Sequence, residues 1–165
     1  IALGPDGKLY CAPDDSSRVL VIDPATEEKL SFLEGAGEGG YNYNGIALGP
    51  DGKLYCAPLS NSRVLVIDPA TEEKLSFLEG AGEGDRKYAG IALGPDGKLY
   101  CAPLHSSRVL VIDPATEEKL SFLEGAGEGD SKYRGIALGP DGKLYCAPDD
   151  SSRVLVIDPA TEEKL

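Results

Sequence analysis

The chain is built from a repeated unit: the string IALGPDGKLYCAP begins at Ile1, Ile46, Ile91 and Ile136, which fixes a period of 45 residues. Three full units and two thirds of a fourth account for the 165 residues. Tandem repeats of this length are typical of propellers and other arrays in which neighbouring units share a core. Only seven of the 45 positions in a unit ever change. This uniformity favours a consensus or designed repeat, with very recent gene duplication as the alternative.

Each unit predicts four short antiparallel strands, A to D, described here for the second unit. Strand A covers Gly45–Leu48, and the Gly-Pro-Asp-Gly motif that follows predicts a tight turn. Strand B covers Lys53–Ala57 and is ended by Pro58, which lacks an N–H donor. Strand C, Arg63–Ile67, is apolar on both faces and is predicted to be buried between two layers. The Asp-Pro-Ala-Thr motif predicts a turn, or alternatively a short helix, before the edge strand D at Lys74–Leu78.

Four antiparallel strands in about 45 residues make one blade of a β-propeller. We therefore predict an all-β fold in a single repeat domain over 1–165, with blades at about 1–45, 46–90, 91–135 and an incomplete one at 136–165. The run Gly-Ile-Ala-Leu-Gly-Pro-Asp-Gly-Lys-Leu-Tyr resembles the opening of NHL-type blades, and Arg-Val-Leu-Val-Ile-Asp-Pro-Ala-Thr resembles the YVTN-type repeat. The resemblance covers every unit and implies a propeller. It says little about function, because these motifs are structural.

The seven variable positions are confined to two places in the unit. Counting the first Ile of each unit as offset 1, they are offsets 14–16 in the B–C loop and offsets 40–42 and 44 in the D–A loop. The resemblance implies that both loops open onto one face, and variation confined to one loop face is typical of a binding surface. Drift in tolerant loops is the alternative. The predicted ligand-binding residues are Asp14, Asp15, Tyr41, Asn42, Asn44, Leu59, Ser60, Asn61, Asp85, Arg86, Lys87, Leu104, His105, Asp130, Lys132, Arg134, Asp149 and Asp150.

The charge balance limits the partners. Sixteen basic and 28 acidic residues give a net charge of −12, which argues against nucleic-acid backbones. An acidic body with small basic spots on the loop face suits a polar or anionic ligand. No apolar run approaches the roughly 20 residues of a membrane span, and the N-terminus lacks the features of a secretion signal. We expect a soluble protein compatible with bacterial cytosolic expression. The absence of Met indicates processing, trimming or a longer parent chain.

No residue pattern predicts catalysis or a cofactor. Cys11, Cys56, Cys101 and Cys146 share one offset, so their mutual separation on different blades argues for free, buried thiols. The single His105 has no identifiable nucleophile or orienting carboxylate. The G-x-G-x-x-G match at 35–40 is absent from the other units and predicts a flexible loop.

Strand A also bears on enzymatic function. Relatives of the resembled fold bind calcium and hydrolyse lactones with acidic and amide residues that line the central channel. Here strand A reads Gly-Ile-Ala-Leu in every complete copy, so the innermost strand is predicted to supply no such ligand. The invariant Tyr43, Tyr88 and Tyr133 are predicted to pack between blades.

Four blades, the last of them incomplete, are predicted not to close a ring within one chain. We predict that two chains join head to tail into an eight-bladed homodimer. A self-closed four-bladed ring and a longer chain are the alternatives. Such a joint would bring Asp149 and Asp150 of one chain near Asp14 and Asp15 of another, a weak calcium-site hypothesis beside solvated loop acids. The predicted function is a non-catalytic, self-assembling scaffold, and the alternative is a recognition module for a glycan, peptide or protein.

Overall fold

The computed structural model describes residues 1–161 and 163–164, and the described part contains sixteen β-strands and no helix. The strands form four antiparallel sheets of four strands each, which confirms the all-β propeller-blade architecture. Blade 1 contains β1 (Ala2–Leu3), β2 (Leu9–Cys11), β3 (Arg18–Ile22) and β4 (Leu30–Glu34). Blade 2 contains β5 (Tyr43–Leu48), β6 (Leu54–Pro58), β7 (Val64–Ile67) and β8 (Leu75–Leu78). Blade 3 contains β9 (Tyr88–Leu93), β10 (Leu99–Pro103), β11 (Val109–Ile112) and β12 (Leu120–Leu123). Blade 4 contains β13 (Tyr133–Leu138), β14 (Leu144–Pro148), β15 (Leu155–Asp158) and β16 (Glu163–Lys164).

Within each blade the strands lie in sequence order, so every connection is a hairpin. The Gly-Pro-Asp-Gly turn closes with a bond from the amide of Gly52 to the carbonyl of Gly49 (3.2 Å). The Asp-Pro-Ala-Thr segment is also a turn, in which the Asp68 carboxylate accepts the amide of Ala70 (3.0 Å). The short-helix alternative is therefore wrong, and no helix of the described residues could cross a membrane.

Strand A is longer than predicted. It starts at Tyr43 rather than Gly45, and Tyr43 pairs with Pro58 across an irregularity in register before Ile46. The bulge accommodates Asn44 and Gly45, the latter at φ 97°. Strand B ends at Pro58, as predicted, and it includes the proline as its last residue, one position beyond the predicted Ala57. Offset 44 consequently belongs to strand A and not to the loop.

The core lies between blades rather than within one. Alternate residues of each strand point to opposite faces of the sheet, and we call them the forward face, toward the next blade, and the back face. At the junction of blades 2 and 3 the forward face supplies Tyr55, Ala57, Val64 and Val66, and the back face supplies Ile91, Leu99, Cys101, Leu110 and Ile112. The same offsets build the other two junctions. Strand C is buried along its whole length in blades 2 and 3, as predicted.

The invariant tyrosines and cysteines belong to this core. Tyr43, Tyr88 and Tyr133 are buried in the three junctions, which confirms their predicted packing role. The four cysteines are free; Cys56, Cys101 and Cys146 are buried and Cys11 is half-buried. Burial raises the pKa of the Cys56 and Cys101 thiols far above the ordinary value, so both are held as inert thiols at neutral pH.

The two end blades each leave one face open. Val154, on the forward face of blade 4, is 49% exposed, whereas Val64 and Val109 at the same offset are fully buried. On the back face of blade 1, Leu3 is 59% exposed. Ile1, Leu30 and Phe32 extend that back face, and Tyr145 extends the forward face of blade 4. Because these side chains stay exposed, the described parts of blades 1 and 4 do not pack against each other to close a ring.

Candidate functional site: the variable loop face

The variable loops of all four blades are joined on one face by main-chain hydrogen bonds. Each linker between blades (35–42, 79–87 and 124–132) lies between the B–C loops of the blades it connects. Asn42, for example, donates its amide to the Asp14 carbonyl (2.8 Å) and accepts the Leu59 amide (2.9 Å). The bonded series runs through Asp14, Asn42, Leu59, Lys87, Leu104, Lys132 and Asp149. The variable positions are therefore contacts between consecutive blades as well as a surface.

Offsets 15 and 40 form matched pairs across each junction. The linker residue at offset 41 has a left-handed backbone, and the amide of Tyr41 donates to the Asp15 carboxylate (2.9 Å). A Cβ on Gly40 would lie 2.8 Å from the same Asp15 oxygen, so a larger residue there would displace this carboxylate. At the next junction Ser60 accepts the amide of the following linker instead, and offset 40 is Asp85.

Offset 42 carries buried polar side chains that hold the linkers in place. Lys87 is only 6% exposed, and its Nζ donates to the carbonyls of Asn61 (2.9 Å) and Gly84 (3.0 Å). Lys132 is held in the same way by Gly129 and Leu104. Burial lowers the pKa of both ammonium groups, and nearby acidic residues oppose that shift. The ammonium groups of both lysines are therefore bonded to main-chain carbonyls of the protein itself.

Offsets 14 and 44 meet where strand A begins. Leu59, Ala89 and Leu104 form a small buried apolar cluster there. It is flanked by Arg134, whose Nε lies 3.2 Å from an Asp149 carboxylate oxygen. The prediction that the innermost strand carries no acidic or amide residue is wrong for blade 2, because strand A begins earlier than predicted and Asn44 lies in β5.

Asp14 is the most perturbed acid of this region. Burial, with the charge of Asp15 added, raises the pKa of its carboxyl. A hydrogen bond with Asn44 and the charge of Arg134 partly oppose that shift. One carboxylate oxygen of Asp14 is buried without a hydrogen-bond partner among the described residues. At a given pH, the protonated form of Asp14 is therefore more populated than that of an exposed aspartate.

The predicted site residues divide by exposure. Asn42, Leu59, Lys87, Leu104 and Lys132 are buried, and Asp14, Asn44, Ser60, Asn61 and His105 are half-buried. Asp15, Tyr41, Asp85, Arg86, Asp130, Arg134, Asp149 and Asp150 are exposed. Among them Arg86 lies over the Tyr41 ring, 5.2 Å from its centroid. Ligand binding at these positions stays a prediction.

The described residues contain no group of three or more His, Cys, Asp or Glu side chains that could hold a metal ion. The calcium hypothesis concerns a joint between two chains and stays a prediction. The Nδ1 atom of His105 lies 3.8 Å from an Asp130 carboxylate oxygen, a distance too long for a direct hydrogen bond. The G-x-G-x-x-G segment is a loop with Gly35, Gly37 and Gly39 at positive φ, and a strand follows it rather than a helix.

The repeated four-stranded sheets define a β-propeller, and solved structures agree. The chain is similar to a catalytically inactive virginiamycin B lyase from Staphylococcus aureus, solved with quinupristin (TM-score 0.82, 16% identity, all of this chain and 53% of that one). It is also similar to Kuenenia stuttgartiensis hydrazine synthase (0.74, 24%, 99% and 46%) and to the RRP9 WD40 repeats (0.72, 20%, 99% and 48%). The chain spans about half the length of these structures. No protein-family model matches it, and no curated protein does.

One variable position produces a defect in the core. The hydroxyls of Tyr88 and Tyr133 bond to Ser106 (3.2 Å) and Ser151 (3.3 Å). At the first junction Asn61 stands at the serine offset, and the Tyr43 hydroxyl is buried without a partner among the described residues. The substitution of serine by asparagine thus leaves one polar group unsatisfied.

We expect the Tyr43→Phe variant to be more stable than the parent by about 1 kcal/mol, because it removes an unsatisfied buried hydroxyl. The matched Tyr88→Phe variant should be about 1 kcal/mol less stable, because it breaks a hydrogen bond and leaves Ser106 with one partner fewer. Urea unfolding monitored by circular dichroism measures both. Shifts of the same sign in the two variants would contradict the assignment.

Proposed function

We propose that the protein is a non-catalytic, consensus or designed propeller scaffold of the NHL/YVTN type, whose chains join head to tail. In this proposal the forward face of blade 4 packs on the back face of blade 1 of another copy, and two copies close an eight-bladed ring. The observation that carries it is the pair of open apolar faces at the two ends. Each face has the sequence of a face that is buried inside the same chain.

The internal junctions serve as the template for the proposed joint. Val19 of blade 1 is fully buried against blade 2, and Val154 has the same offset in blade 4, within a segment identical to 1–30. Tyr145 likewise corresponds to Tyr55, which is 1% exposed at an internal junction. Burying one large apolar side chain contributes about 1.5–3 kcal/mol, and the joint would bury several of them on each face, against the entropy lost on association. A head-to-tail joint of this kind repeats until the ring closes.

The internal use of the variable side chains supports a non-catalytic role. Lys87 and Lys132 are bonded to linker carbonyls, and Asp15 accepts a linker amide. These groups are committed to joining blades rather than to proton transfer with a ligand. The alternative proposal, recognition of a polar or anionic ligand, has its best support in the exposed pair of Arg86 and Tyr41.

Native mass spectrometry with three variants tests the scaffold proposal. We expect the parent chain to appear as a dimer, and Val154→Asp and Ile1→Asp each to appear as monomers, because the counterparts Val64 and Ile46 are buried at internal junctions and each joint would bury an unpaired carboxylate. The dissociation constants should rise at least ~100-fold. Ser121→Asp, on the exposed side of the outer strand β12, should stay dimeric. Circular dichroism checks that every variant is folded.

Mixing the two interface variants sharpens the test. The Val154→Asp chain keeps an intact back face, and the Ile1→Asp chain keeps an intact forward face. The mixture should therefore form a heterodimer with a single joint, although neither variant pairs with itself. A parent chain that is monomeric at all concentrations, or a mixture that does not associate, would overturn the head-to-tail proposal.

A further inference from the structure

Two grooves of the same composition lie on the outer rim of the protein, each between the outer strand of one blade and the C–D turn of the next. The first, of about 420 Å³, lies between residues 32–34 and residues 72–75. The second, of about 450 Å³, lies between residues 77–80 and residues 117–120. Apart from Gly80, the lining positions of the second groove follow those of the first by 45 residues, so the repeat builds the same surface twice. We call these two surfaces the rim grooves.

Each rim groove contains a pair of leucines, one from each of the two blades. In the first groove, Leu33 and Leu75 are partly buried against the core of the junction, and in the second groove Leu78 and Leu120 occupy the same offsets. All four leucines are half-buried, so part of each side chain is accessible from the rim. A large aliphatic side chain of a partner that packs on such a pair removes apolar area from water on both molecules.

The rim grooves are also acidic. Each carries three exposed glutamates, namely Glu34, Glu72 and Glu73 in the first and Glu79, Glu117 and Glu118 in the second. One lysine lines each groove, but the ammonium of Lys74 donates to the carbonyls of Pro69 (2.7 Å) and Thr71 (3.1 Å) in its own turn. Lys119 is held in the same way. Carboxylates therefore dominate the charge that a ligand meets in either groove.

The same rim shows how a cationic side chain is held there. The guanidinium of Arg63 lies 4.0 Å from the Phe77 ring centroid and 3.8 Å from a carboxylate oxygen of Glu79. Arg18 and Arg108 make the corresponding two contacts within their own blades. The first glutamate of each rim groove is thus paired inside the chain. The two glutamates of each C–D turn are the carboxylates that can pair with the basic side chains of a partner.

We propose that each rim groove binds a short extended segment of a partner protein in which one large aliphatic side chain stands between two basic residues. The aliphatic side chain packs on the leucine pair, and the basic side chains pair with the glutamates of the adjoining C–D turn. The net charge of −12 adds a long-range attraction for such a partner. The rim grooves lie at internal junctions, so this proposal does not depend on how chains join.

The repetition of the groove sets the form of the partner. The two rim grooves belong to consecutive junctions of one rigid array of blades. A partner that carries the basic-aliphatic-basic motif twice can therefore occupy both grooves, and its second contact forms at a high effective concentration. Single motifs are expected to bind weakly, because ion pairs at an exposed rim contribute little each.

Fluorescence anisotropy with labelled synthetic peptides tests the proposal on the full chain. The probe contains two copies of Gly-Arg-Leu-Arg-Gly joined by a flexible linker of about ten residues. A second peptide has Ser in place of both Leu, and a third has Glu in place of every Arg. We expect the probe to bind at least ~10-fold more tightly than either of them. Equal binding of the serine peptide would mean that charge alone attracts the probe and would overturn the inference, as would a probe that does not bind.

Two quadruple variants with the same change in net charge locate the site. The first removes the charges of the C–D turns: Glu72→Gln, Glu73→Gln, Glu117→Gln and Glu118→Gln. The second removes four exposed charges from the linkers of the loop face: Glu38→Gln, Glu83→Gln, Asp85→Asn and Glu128→Gln. At physiological salt the first variant should bind the probe at least ~10-fold more weakly, and the second should bind it within ~2-fold of the parent chain. Equal losses would show that the probe responds to net charge and not to the rim grooves.

The double variant Glu117→Gln and Glu118→Gln tests whether the two grooves act together. It leaves the first rim groove intact, so the affinity of the probe should fall toward that of a peptide with a single Arg-Leu-Arg motif. An unchanged affinity would contradict occupancy of both grooves and overturn the inference. Circular dichroism checks that each variant is folded. Self-association is measured separately by native mass spectrometry, so a failure of the scaffold proposal and a failure of this one are distinguishable.

Discussion

Gly90→Ala is expected to destabilise the protein by about 3 kcal/mol or more, a large fraction of the free energy of unfolding of an ordinary domain. Gly90 has φ 103°, a conformation that L side chains rarely adopt. In addition, a Cβ at this position would lie 2.8 Å from the Gly135 Cα of the next blade. The atoms in the way belong to the main chain of the neighbouring blade. The clash can therefore be relieved only by moving one blade relative to the other. Urea unfolding of the purified variant measures the loss.

Gly135→Ala is the matched control. Gly135 occupies the same offset at φ 85°, but no described atom would lie within 4 Å of a Cβ added to it. This variant should lose only the stability that corresponds to the strain of an L residue at positive φ, about 1–2 kcal/mol. The difference between the two variants isolates the close approach of neighbouring A strands. Equal losses would show that the backbone conformation alone accounts for the requirement for glycine.

The blade architecture was predictable because it is local and repeated. The apolar run at strand C, the turn motifs and the 45-residue period each indicate the same four-stranded unit, and the structure confirms it. The start of strand A was not predictable in the same way. Tyr43 enters the strand by pairing with Pro58, and the bulged Asn-Gly pair lies between Tyr43 and Ile46. Neither the proline nor the Asn-Gly pair favours a strand on its own.

The arrangement of the variable positions was also predictable only in part. Their confinement to two loops was readable from the repeat, and main-chain bonds place these loops together. Which offsets face each other was not readable, because contacts between residues 26 positions apart depend on the packing of blades. One signal was present in the sequence: Asp15 occurs with Gly40, whereas Ser60 and His105 occur with Asp85 and Asp130. Three examples were too few to distinguish pairing from chance.

The stability of the fold is expected to fall steeply above pH 10, because buried tyrosines resist ionisation in the native state. Burial raises the pKa of Tyr88 to about 12. Burial also raises the pKa of Tyr10, Tyr43 and Tyr55, in two of them with help from an aspartate that accepts the hydroxyl proton. Between the unfolded and folded pKa values the native chain binds more protons than the unfolded chain. The free energy of unfolding therefore decreases as pH rises.

The rate at which the free energy of unfolding falls with pH depends on how many tyrosines stay protonated only in the native state. Each tyrosine that stays protonated only in the native state contributes about 1.4 kcal/mol per pH unit, so four of them give about 5 kcal/mol per pH unit at most. Lys87 and Lys132 act in the opposite direction at lower pH. Their folded pKa values lie below the ordinary 10.5, so stability rises with pH until the unfolded lysines also lose their protons.

Urea unfolding at a series of pH values from 8 to 12 distinguishes these contributions. The Tyr55→Phe variant should lower the alkaline slope by one proton, about 1.4 kcal/mol per pH unit. The Phe122→Leu variant, which loses packing at the same kind of junction without removing a titrating group, should be less stable with an unchanged slope. A free energy that stays level from pH 10 to 11 would mean that the hydroxyls ionise inside the folded protein. The junctions would then have to admit water, contrary to their close packing.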